Sequence, residues 1–300
     1  MKYTKMDYVN QKVNNVLIIC ISLLKSTERR AKILNEINLL KQNIKDIQLD
    51  FEFFDAIYGK TLPAEYLSLI NINHKLSSPN SRPFAVGEIG CLLSHLIVWQ
   101  RIADQYYAQY DRVIIIEDDV YLVHDKLDEQ MQSIVKNNAD FIFLSGHSPK
   151  ARTRIKGYPS SDTLYFNMIG SRYQYTMACA YSITPVRAQK LVLKMLKKIS
   201  VADDWRYLIS DLTIVPYYYF FEQGGQEDSA IEALRSEFIQ EYKENRIKKN
   251  FIKIYQDIIT QFKMLFCTQK TYQLSDFIQK KETNHHSSDK TDSSIHNSVS

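Results

Sequence analysis

The chain has 300 residues, of which 45% are hydrophobic and 24% are charged. This composition suits one large globular domain and excludes an intrinsically disordered protein. The net charge of +4 is small and spread along the chain, and no zinc-finger, RNA-recognition or basic-zipper pattern is present, so a dedicated nucleic-acid-binding protein is also excluded.

The cysteines and the first apolar segment bear on the cellular compartment. The four cysteines lie far apart in the sequence, at Cys20, Cys91, Cys179 and Cys267. This spacing does not suit a zinc site or a redox dithiol, and it predicts buried, reduced thiols. The apolar run at 16–24 has nine residues, too few to span a bilayer, and KSTERR follows it where a signal peptide would have small residues. We therefore expect a cytoplasmic protein whose first strand is 16–21.

The hydrophobic pattern then predicts alternating strands and helices. Ser26 or Thr27 can cap a first helix with apolar residues at three-to-four spacing, a second extended run ends in Gly59, and Pro63 opens a short helix. Further helices are predicted at 86–107, 126–135 and 185–196, and further strands at 113–116, 140–146 and 173–184. This order favours an α/β fold with a mostly parallel sheet flanked by helices.

Three adjacent carboxylates follow the strand at 113–116: Glu117, Asp118 and Asp119. An unbroken run of β-branched residues is typical of a buried strand, and the carboxyl end of such a strand is the ligand-binding edge of an open α/β sheet. Neighbouring carboxylates repel one another, so a divalent cation that prefers oxygen ligands would stabilise them. A solvated loop or a helix cap has the same pattern, and the triplet alone does not decide between these alternatives.

The composition changes after residue 235. Apolar residues from Ile247 to Leu265 recur every three or four positions beside several lysines, which predicts a basic amphipathic helix within 236–281. Such a helix can lie on an anionic membrane surface or pack on the preceding domain. Residues 282–300 are dominated by Ser, Asn, His and Asp, which predicts a disordered tail.

Four segments together resemble the bacterial glycosyltransferases of family 25, which build the outer cores of lipopolysaccharide or lipooligosaccharide. These segments are ISLLKSTERR at 21–30, VGEIGCLLSH at 86–95, VIIIEDDV at 113–120, and ADDW at 202–205 with PYYYFFEQGGQEDSAI at 216–231. Their order and separations match the family across about residues 14–235. The resemblance implies a Rossmann-like GT-A domain over that range, followed by the basic extension and the tail.

The resemblance also implies an activity. A hexose, galactose or glucose, would pass from a UDP-sugar donor to a lipid-linked oligosaccharide acceptor with inversion at the anomeric carbon, on a protein in peripheral contact with the inner face of the cytoplasmic membrane. Mn²⁺ or Mg²⁺ would bind the donor diphosphate, and the acidic motif of the family matches Glu117 and Asp119 as metal ligands. A cation there neutralises the charge that develops on the leaving UDP.

The other candidate residues are assigned to proton transfer and to substrate binding. Inversion requires a base for the acceptor hydroxyl, and Asp203 and Asp204, beside Trp205, are the leading candidates. Contacts with the donor or acceptor are predicted for Ser22, Arg29, Arg30, Glu88, His95, Asp118, Gln223 and Ser229.

Several of these candidates have a structural alternative. Arg29 and Arg30 could be solvated helix residues, and His95, which shares a helix face with Glu88, could be a packing residue. The glycines after Gln223 could close over the donor or form a plain turn. The aromatic run at 217–221 could stack on sugars or form an ordinary strand.

Two other classes of function compete with a transferase. A signalling receiver domain also carries acidic residues after a strand, but its phosphoacceptor Asp would end a later strand, whereas Asp140 begins the next strand here. A non-catalytic carbohydrate-binding or scaffold protein is opposed only by the acidic triplet and its sequence context.

Overall fold

The computed structural model describes residues 14–78, 81–105, 109–145, 149–169, 175, 177–224 and 272–292. In these residues the chain forms a nine-stranded sheet with helices on both faces and a separate two-stranded ribbon. The predicted α/β class is confirmed.

The strands are β1 Asn14–Ser22, β2 Ile47–Asp55, β3 Arg112–Glu117, β4 Val120–Leu122, β5 Phe141–Phe143, β6 Lys156–Pro159, β7 Phe166–Ile169, β8 Ala180–Ile183, β9 Ile214–Tyr217, β10 Phe221–Gln223 and β11 Tyr272–Gln273. The helices are α1 Thr27–Asn43, α2 Ala64–Ser77, α3 Val86–Gln105, α4 Leu127–Lys136, α5 Pro149–Arg152, α6 Pro185–Lys197, α7 Trp205–Leu208 and α8 Leu274–Asp292, with a 3-10 turn at Gly59–Thr61.

The large sheet has the order β11-β6-β7-β9-β5-β8-β3-β1-β2, and β10 pairs with β4 in the ribbon. Strands β1, β2 and β3 pair in parallel, as do β5 and β9, while β8, β7 and β11 run antiparallel to their neighbours. Six of the nine strands therefore run in the same direction. This agrees with the predicted mostly parallel sheet.

Alternation along β1 explains why the sheet is covered on both faces. Leu17 and Ile19 belong to the hydrophobic cluster that contains residues of α3 and α6, whereas Val16 and Ile18 belong to the cluster that contains residues of α1 and α4. Successive side chains of a strand point to opposite faces, so a strand buried on both sides must be apolar at every position. The unbroken apolar run at the start of the chain is this central strand.

One fully buried charged side chain joins α6 to the sheet. Arg187 donates to both carboxylate oxygens of Asp140, at the start of β5, and to both of Asp211, before β9. Paired, hydrogen-bonded charges of this kind are tolerated in a core, whereas removing one partner leaves an uncompensated charge. Asp140 therefore has a structural role at the sheet edge opposite the acidic triplet.

The observed elements differ from the predicted ones at several positions. Strand β2 ends at Asp55, and Gly59 opens the 3-10 turn instead of closing the strand. Ser26 occupies the cap position of α1, but its side chain makes no capping hydrogen bond. Of the run at 217–221, only Tyr217 lies in β9 and only Phe221 in β10, and the three residues between them connect the strands. All five aromatic side chains are buried, so the run offers no surface for stacking on a sugar.

The carboxyl-terminal part differs as well. Most of the predicted basic helix, residues 236–271, lies outside the described residues, but α8 continues to Asp292, into the range for which composition predicts disorder. The start of α8 is held by Leu274, Phe277 and Ile278, which are buried in the core cluster. Because packing stabilises this first apolar turn, the helix can propagate into the polar residues that follow. Composition alone does not reveal such an anchor.

The cysteines and the helix lengths can be compared with the predictions of reduced thiols and of no membrane-spanning segment. Cys20 and Cys179 are buried, Cys91 is partly exposed, and none of the three forms a disulfide. Among the helices that the structure describes, none combines the length and hydropathy needed to cross a membrane.

Candidate active site

The carboxyl ends of β1, β2 and β3 meet at one edge of the sheet. Ser22 pairs with Asp55 in the β1–β2 register, and Ile21 pairs with Glu117 in the β1–β3 register. A cleft of about 260 Å³ opens at this edge, and its lining includes the whole acidic triplet. The cleft thus lies at the ends of parallel strands, where the sequence predicts the site.

Asp118 turns toward the end of β1. Its Oδ2 accepts a hydrogen bond of 2.6 Å from the Ser22 hydroxyl, and its Oδ1 pairs with the Arg29 guanidinium at 3.1 Å. The side chain of Asp118 is only 11% exposed, so water screens the ion pair less than it would on the surface. The contacts of Asp118 join β1, the first turn of α1 and the end of β3.

Asp119 turns the other way, toward β10. Its Oδ2 accepts a hydrogen bond of 2.9 Å from the Gln223 amide, and its backbone carbonyl accepts one of 2.7 Å from the Gly224 N–H. The second carboxylate oxygen, Oδ1, is buried and has no hydrogen-bond partner among the described residues. Burial and the nearby charge of Glu117 raise the pKa of Asp119 from its usual 3.8 to about 6.

Glu117 faces helix α3. Its Oε1 lies 3.3 Å from Nε2 of His95 and 3.9 Å from Sγ of Cys91. His95 is fully buried, and its Nδ1 lies 2.7 Å from the hydroxyl of Tyr181 on β8, which also accepts a hydrogen bond of 2.8 Å from the Trp99 indole. Glu117 is therefore held by a chain of buried polar contacts that begins in α3 and β8.

The two predicted arginines have different partners. Arg29 pairs with Asp118, as described above, and lines the cleft. Arg30 donates to the Asp55 carboxylate at 2.5 Å and to the Ser22 carbonyl at 2.8 Å, and its guanidinium lies 4.8 Å from the centre of the Phe53 ring. Arg30 thus links the ends of β1 and β2. Neither arginine is the solvated helix residue of the alternative reading.

A close backbone approach forms one wall of the cleft. A Cβ atom at Gly90 would lie 2.5 Å from the Ile57 carbonyl oxygen, and one at Gly59 would lie 2.0 Å from the Val86 carbonyl oxygen. Contacts this short leave no room for a side chain on either backbone. Because both residues are glycine, the segment after β2 can pack directly on the first turns of α3, next to Cys91.

Glu88 and the two aspartates proposed as bases lie outside the lining of this cleft. Glu88 forms a bidentate pair with Arg82 at 2.7 and 2.5 Å, and it accepts a hydrogen bond of 2.9 Å from the Ala85 N–H. These contacts make Glu88 a structural anchor at the start of α3, and the predicted contact with substrate has no support from its position.

Asp203 and Asp204 have different surroundings, although they are neighbours in the sequence. Asp204 accepts a hydrogen bond of 2.5 Å from the Ser200 hydroxyl and lies 3.6 Å from the Arg206 guanidinium, at the start of α7. Asp203 is half-buried. The hydrogen bond that Arg82 donates to Glu88 raises the pKa of Arg82 most, and the charge of Asp203 adds to this effect.

The structure brings most of the predicted residues together and adds others. Five of them converge on the acidic triplet and its immediate contacts: Ser22, Arg29, Arg30, His95 and Gln223. Ser229 lies outside the described residues. The sequence reading missed Cys91 and Tyr181. The spacing of Cys91, His95 and Trp99, four residues apart on one helix, could have indicated Cys91, whereas nothing in the sequence pairs Tyr181 with His95.

The triplet fits a divalent cation with oxygen ligands. Glu117 and Asp119 both line the cleft, and burial together with the charge of Glu117 raises the pKa of Asp119. The buried Oδ1 of Asp119 lacks a donor among the described residues. A hard cation would give this oxygen a partner and remove the repulsion.

The chain matches the family described as glycosyltransferase family 25 (LPS biosynthesis protein) over residues 15–206. Among similar curated proteins, procollagen galactosyltransferase 2 of Mus musculus is 29% identical over 181 residues, which cover 58% of this chain and 27% of that protein. The inactive glycosyltransferase 25 family member 3 of Mus musculus is 25% identical over 232 residues, covering 73% of this chain and 36% of that protein. The matches thus span well under half the length of these relatives.

Among solved structures, the chain is similar to that of S. aureus TarS 1-349. The two chains are 11% identical, with a TM-score of 0.42, and the match covers 69% of this chain and 60% of that chain.

The raised pKa of Asp119 predicts a pH-dependent stability difference. Because the native pKa, about 6, lies above the unfolded value of 3.8, the native state loses stability as pH rises between these values and bears the full cost above them. An amide at this position cannot ionise, so Asp119→Asn avoids this cost. With a chelator present, the free energy of unfolding of Asp119→Asn should therefore rise relative to that of the native sequence by about 2 kcal/mol between pH 4 and pH 8. Urea unfolding at each pH measures this difference.

Asp162→Asn is a control for which we expect the opposite pH dependence of the free energy of unfolding. Although burial opposes them, hydrogen bonds from Ser160 and from the Leu164 N–H lower the pKa of Asp162, so its stabilising effect is present at high pH and lost as pH falls. This variant should lose stability relative to the native sequence as pH rises. A pH-independent difference for Asp119→Asn would show that Asp119 is not buried against Glu117 in solution.

Proposed function

The chain belongs to glycosyltransferase family 25, and from that premise we propose that it is a divalent-cation-dependent transferase that moves a hexose from a UDP-sugar to an oligosaccharide acceptor with inversion. The observation that carries the proposal is the acidic triplet in the cleft, with a buried oxygen of Asp119 that lacks a donor among the described residues. Bound there, Mn²⁺ or Mg²⁺ would neutralise the charge on the departing UDP.

The choice of donor and acceptor rests on the relatives. Procollagen galactosyltransferase 2 is named for galactose transfer, and the family description names lipopolysaccharide biosynthesis. We therefore propose galactose as the first donor to test, with glucose as the second, and a lipopolysaccharide or lipooligosaccharide outer-core oligosaccharide as the acceptor. One relative is named as inactive, so a non-catalytic carbohydrate-binding role is the competing function that an activity assay must separate.

The proposed roles divide among the residues at the strand ends. Glu117 and Asp119 would hold the cation, and Arg29, which lines the cleft beside Asp118, would contact the donor phosphates or ribose. Asp118 and Ser22 support this edge through their own hydrogen bond, which favours the supporting role of Asp118 over direct contact with ribose. Gln223 orients Asp119.

Loss of Asp119 should abolish cation-dependent transfer. We expect Asp119→Ala to lower the transfer of galactose from UDP-galactose by at least about 100-fold, because the charge on the leaving group is no longer neutralised. The assay measures product from a truncated outer-core acceptor over a series of Mn²⁺ concentrations, and circular dichroism checks the fold.

Asp104→Ala is the matched control, since Asp104 is an exposed residue of α3 that accepts a hydrogen bond from the neighbouring Gln100 and lies outside the lining of the cleft. This variant should keep full activity. Full transfer by Asp119→Ala would contradict the cation site, and absence of transfer or donor hydrolysis by the native protein with every UDP-hexose would favour the non-catalytic alternative.

Asp203 is the better of the two proposed bases. Asp204 is engaged with Ser200 and Arg206, so its oxygens already have structural partners. Asp203 also has an interaction of its own, and its charge acts on Arg82, which pairs with Glu88 at the start of α3. A base must reach the acceptor hydroxyl in the substrate complex, so Asp203 is the first of the two aspartates to test.

We expect Asp203→Asn to lower turnover by about 100-fold or more while leaving the affinity for the UDP-sugar unchanged, because the amide cannot take the proton of the acceptor hydroxyl. Asp204→Asn, the isosteric neighbour, should mainly lower thermal stability. The measurements are turnover, donor affinity by calorimetry, and melting temperature. Equal turnover in both variants and the native protein would exclude both aspartates as the base.

Peripheral membrane contact would suit a lipid-linked acceptor. The segment proposed for this contact, 236–281, lies mostly outside the described residues, and its basic, amphipathic sequence is the support for the proposal. A truncation that removed the whole carboxyl-terminal part would also remove Leu274 and Phe277 from the core. Charge reversal is therefore a cleaner test than deletion.

We expect the combined substitution of Lys248, Lys249 and Lys253 by Glu to weaken binding to anionic vesicles by about 100-fold or more, since each basic residue near such a surface contributes about 1 kcal/mol. Vesicle sedimentation measures the binding. The same reversal at Lys32, Lys41 and Lys45, which are exposed on or beside α1, is the control for net charge and should have a small effect. Equal losses in both variants would argue against a specific role of the segment.

A further inference from the structure

A second set of ligands lies beside the acidic triplet. Cys91 and His95 are one helical turn apart on α3, and Glu117 ends the neighbouring strand β3. Their ligand atoms, one thiol sulfur, one imidazole nitrogen and one carboxylate oxygen, all lie within 4.8 Å of one another. This mixed set differs in chemistry from the carboxylate pair proposed for Mn²⁺ or Mg²⁺, because sulfur and imidazole favour softer metals.

The distances fit a tetrahedral zinc ion. With zinc bonds of about 2.05 Å to nitrogen and oxygen and about 2.3 Å to sulfur, tetrahedral angles put the nitrogen and oxygen about 3.3 Å apart and the sulfur and oxygen about 3.6 Å apart. The observed separations are 3.3 Å between His95 Nε2 and Glu117 Oε1, and 3.9 Å between Cys91 Sγ and the same oxygen. The third separation, between Cys91 Sγ and the His95 nitrogen, is at most 4.8 Å. A movement of up to about 1 Å, within reach of a side-chain adjustment, would complete the three-ligand geometry.

The surroundings of His95 fix the imidazole in the orientation that such a site needs. Its ring is fully buried, its Nδ1 is held by the Tyr181 hydroxyl, and Trp99 in turn donates to that hydroxyl. Zinc-bound histidines regularly have a partner of this kind on the second ring nitrogen, which sets the ring orientation and the tautomer. Nε2 therefore points at Glu117 and Cys91 before any ion arrives.

The open position of the site faces the cleft. Cys91, His95 and Glu117 all line it, so an ion could enter from solvent and keep a water molecule as its fourth ligand. Binding would convert the Cys91 thiol to a thiolate, with release of its proton to solvent. The other two cysteines of the described part are buried, and their surroundings raise the pKa of both thiols, so they do not compete.

We propose that Cys91, His95 and Glu117 form a zinc-binding site that inhibits the proposed transfer reaction. Nitrogen and sulfur ligands bind Zn²⁺ more tightly than Mn²⁺, so the site is selective for the ion that does not support the reaction. The inhibition follows from Glu117, which belongs to both ligand sets. When Glu117 binds zinc it is withdrawn from Asp119, and two dications this close repel each other.

Cobalt is a spectroscopic probe for the binding step. Co²⁺ added to the purified full-length protein should produce thiolate-to-cobalt charge-transfer absorption and the intense visible bands of tetrahedral cobalt, and Zn²⁺ should abolish both. In Cys91→Ser the charge-transfer band should be absent and the Zn²⁺ affinity, measured with a competing chelator, should fall by more than about 100-fold. Cys267→Ser should keep the band. Tyr181→Phe, which retains the ring, should weaken zinc binding by about 10-fold.

The regulatory step has its own readout. Zn²⁺ should inhibit transfer by the native protein, and a higher Mn²⁺ concentration should relieve the inhibition, with each variant compared with its own activity in the absence of zinc. The inhibition should be lost in Cys91→Ser. Absence of the charge-transfer band in the native protein, or its persistence in Cys91→Ser, would overturn the site, and inhibition that Cys91→Ser retains would overturn its regulatory role. The cobalt spectra require no activity, so failure of the transferase proposal would leave them interpretable.

Discussion

Repulsion between three consecutive carboxylates is the constraint around which this edge of the sheet is organised. The structure gives each acid a different partner: His95 for Glu117, Arg29 with Ser22 for Asp118, and Gln223 for Asp119. These partners come from α3, α1, β1 and β10, so separating the charges also fixes four elements around one cleft. Asp119 remains the least stabilised of the three, because its burial and the charge of Glu117 raise its pKa and one of its oxygens lacks a donor in the described part of the chain. A bound cation would remove this remaining unfavourable free energy of the charged Asp119.

Local sequence was sufficient for the elements on which the site is built. An unbroken apolar run is typical of a strand that is buried on both faces of a sheet, and β1 and β3 were predicted from such runs. The structure shows both strands buried on both faces, with the acidic residues at the end of β3. Helices α3 and α6 were predicted from their spacing, and Pro185 at the first turn of α6 is observed. The arginines after β1 could be identified as candidates because a helix that follows a strand directly brings its first turn to the strand end.

Contacts between distant residues could not be predicted in the same way. Gln223 and Asp119 are separated by 104 positions, and His95 and Tyr181 by 86, so their pairing depends on the strand order and not on any local pattern. The aromatic run at 217–221 was ambiguous because stacking surfaces and buried strands use the same residues, and only the complete burial of the five rings decides between them. The anchoring of α8 by three apolar residues was hidden by the polar composition that follows.

The segment between β10 and β11 is bounded on both sides by contacts with the domain. At one side the Gly224 N–H bonds to the Asp119 carbonyl, and at the other the Leu274 N–H bonds to the Ile155 carbonyl, next to β6. Suppose that a partner binds residues 225–271 with an affinity that depends on the positions of these two ends. Its binding would then be coupled thermodynamically to the position of β10, whose Gln223 donates a hydrogen bond to Asp119. By linkage, occupancy of the cleft would then change the affinity for that partner by the same factor as the partner changes the affinity of the cleft.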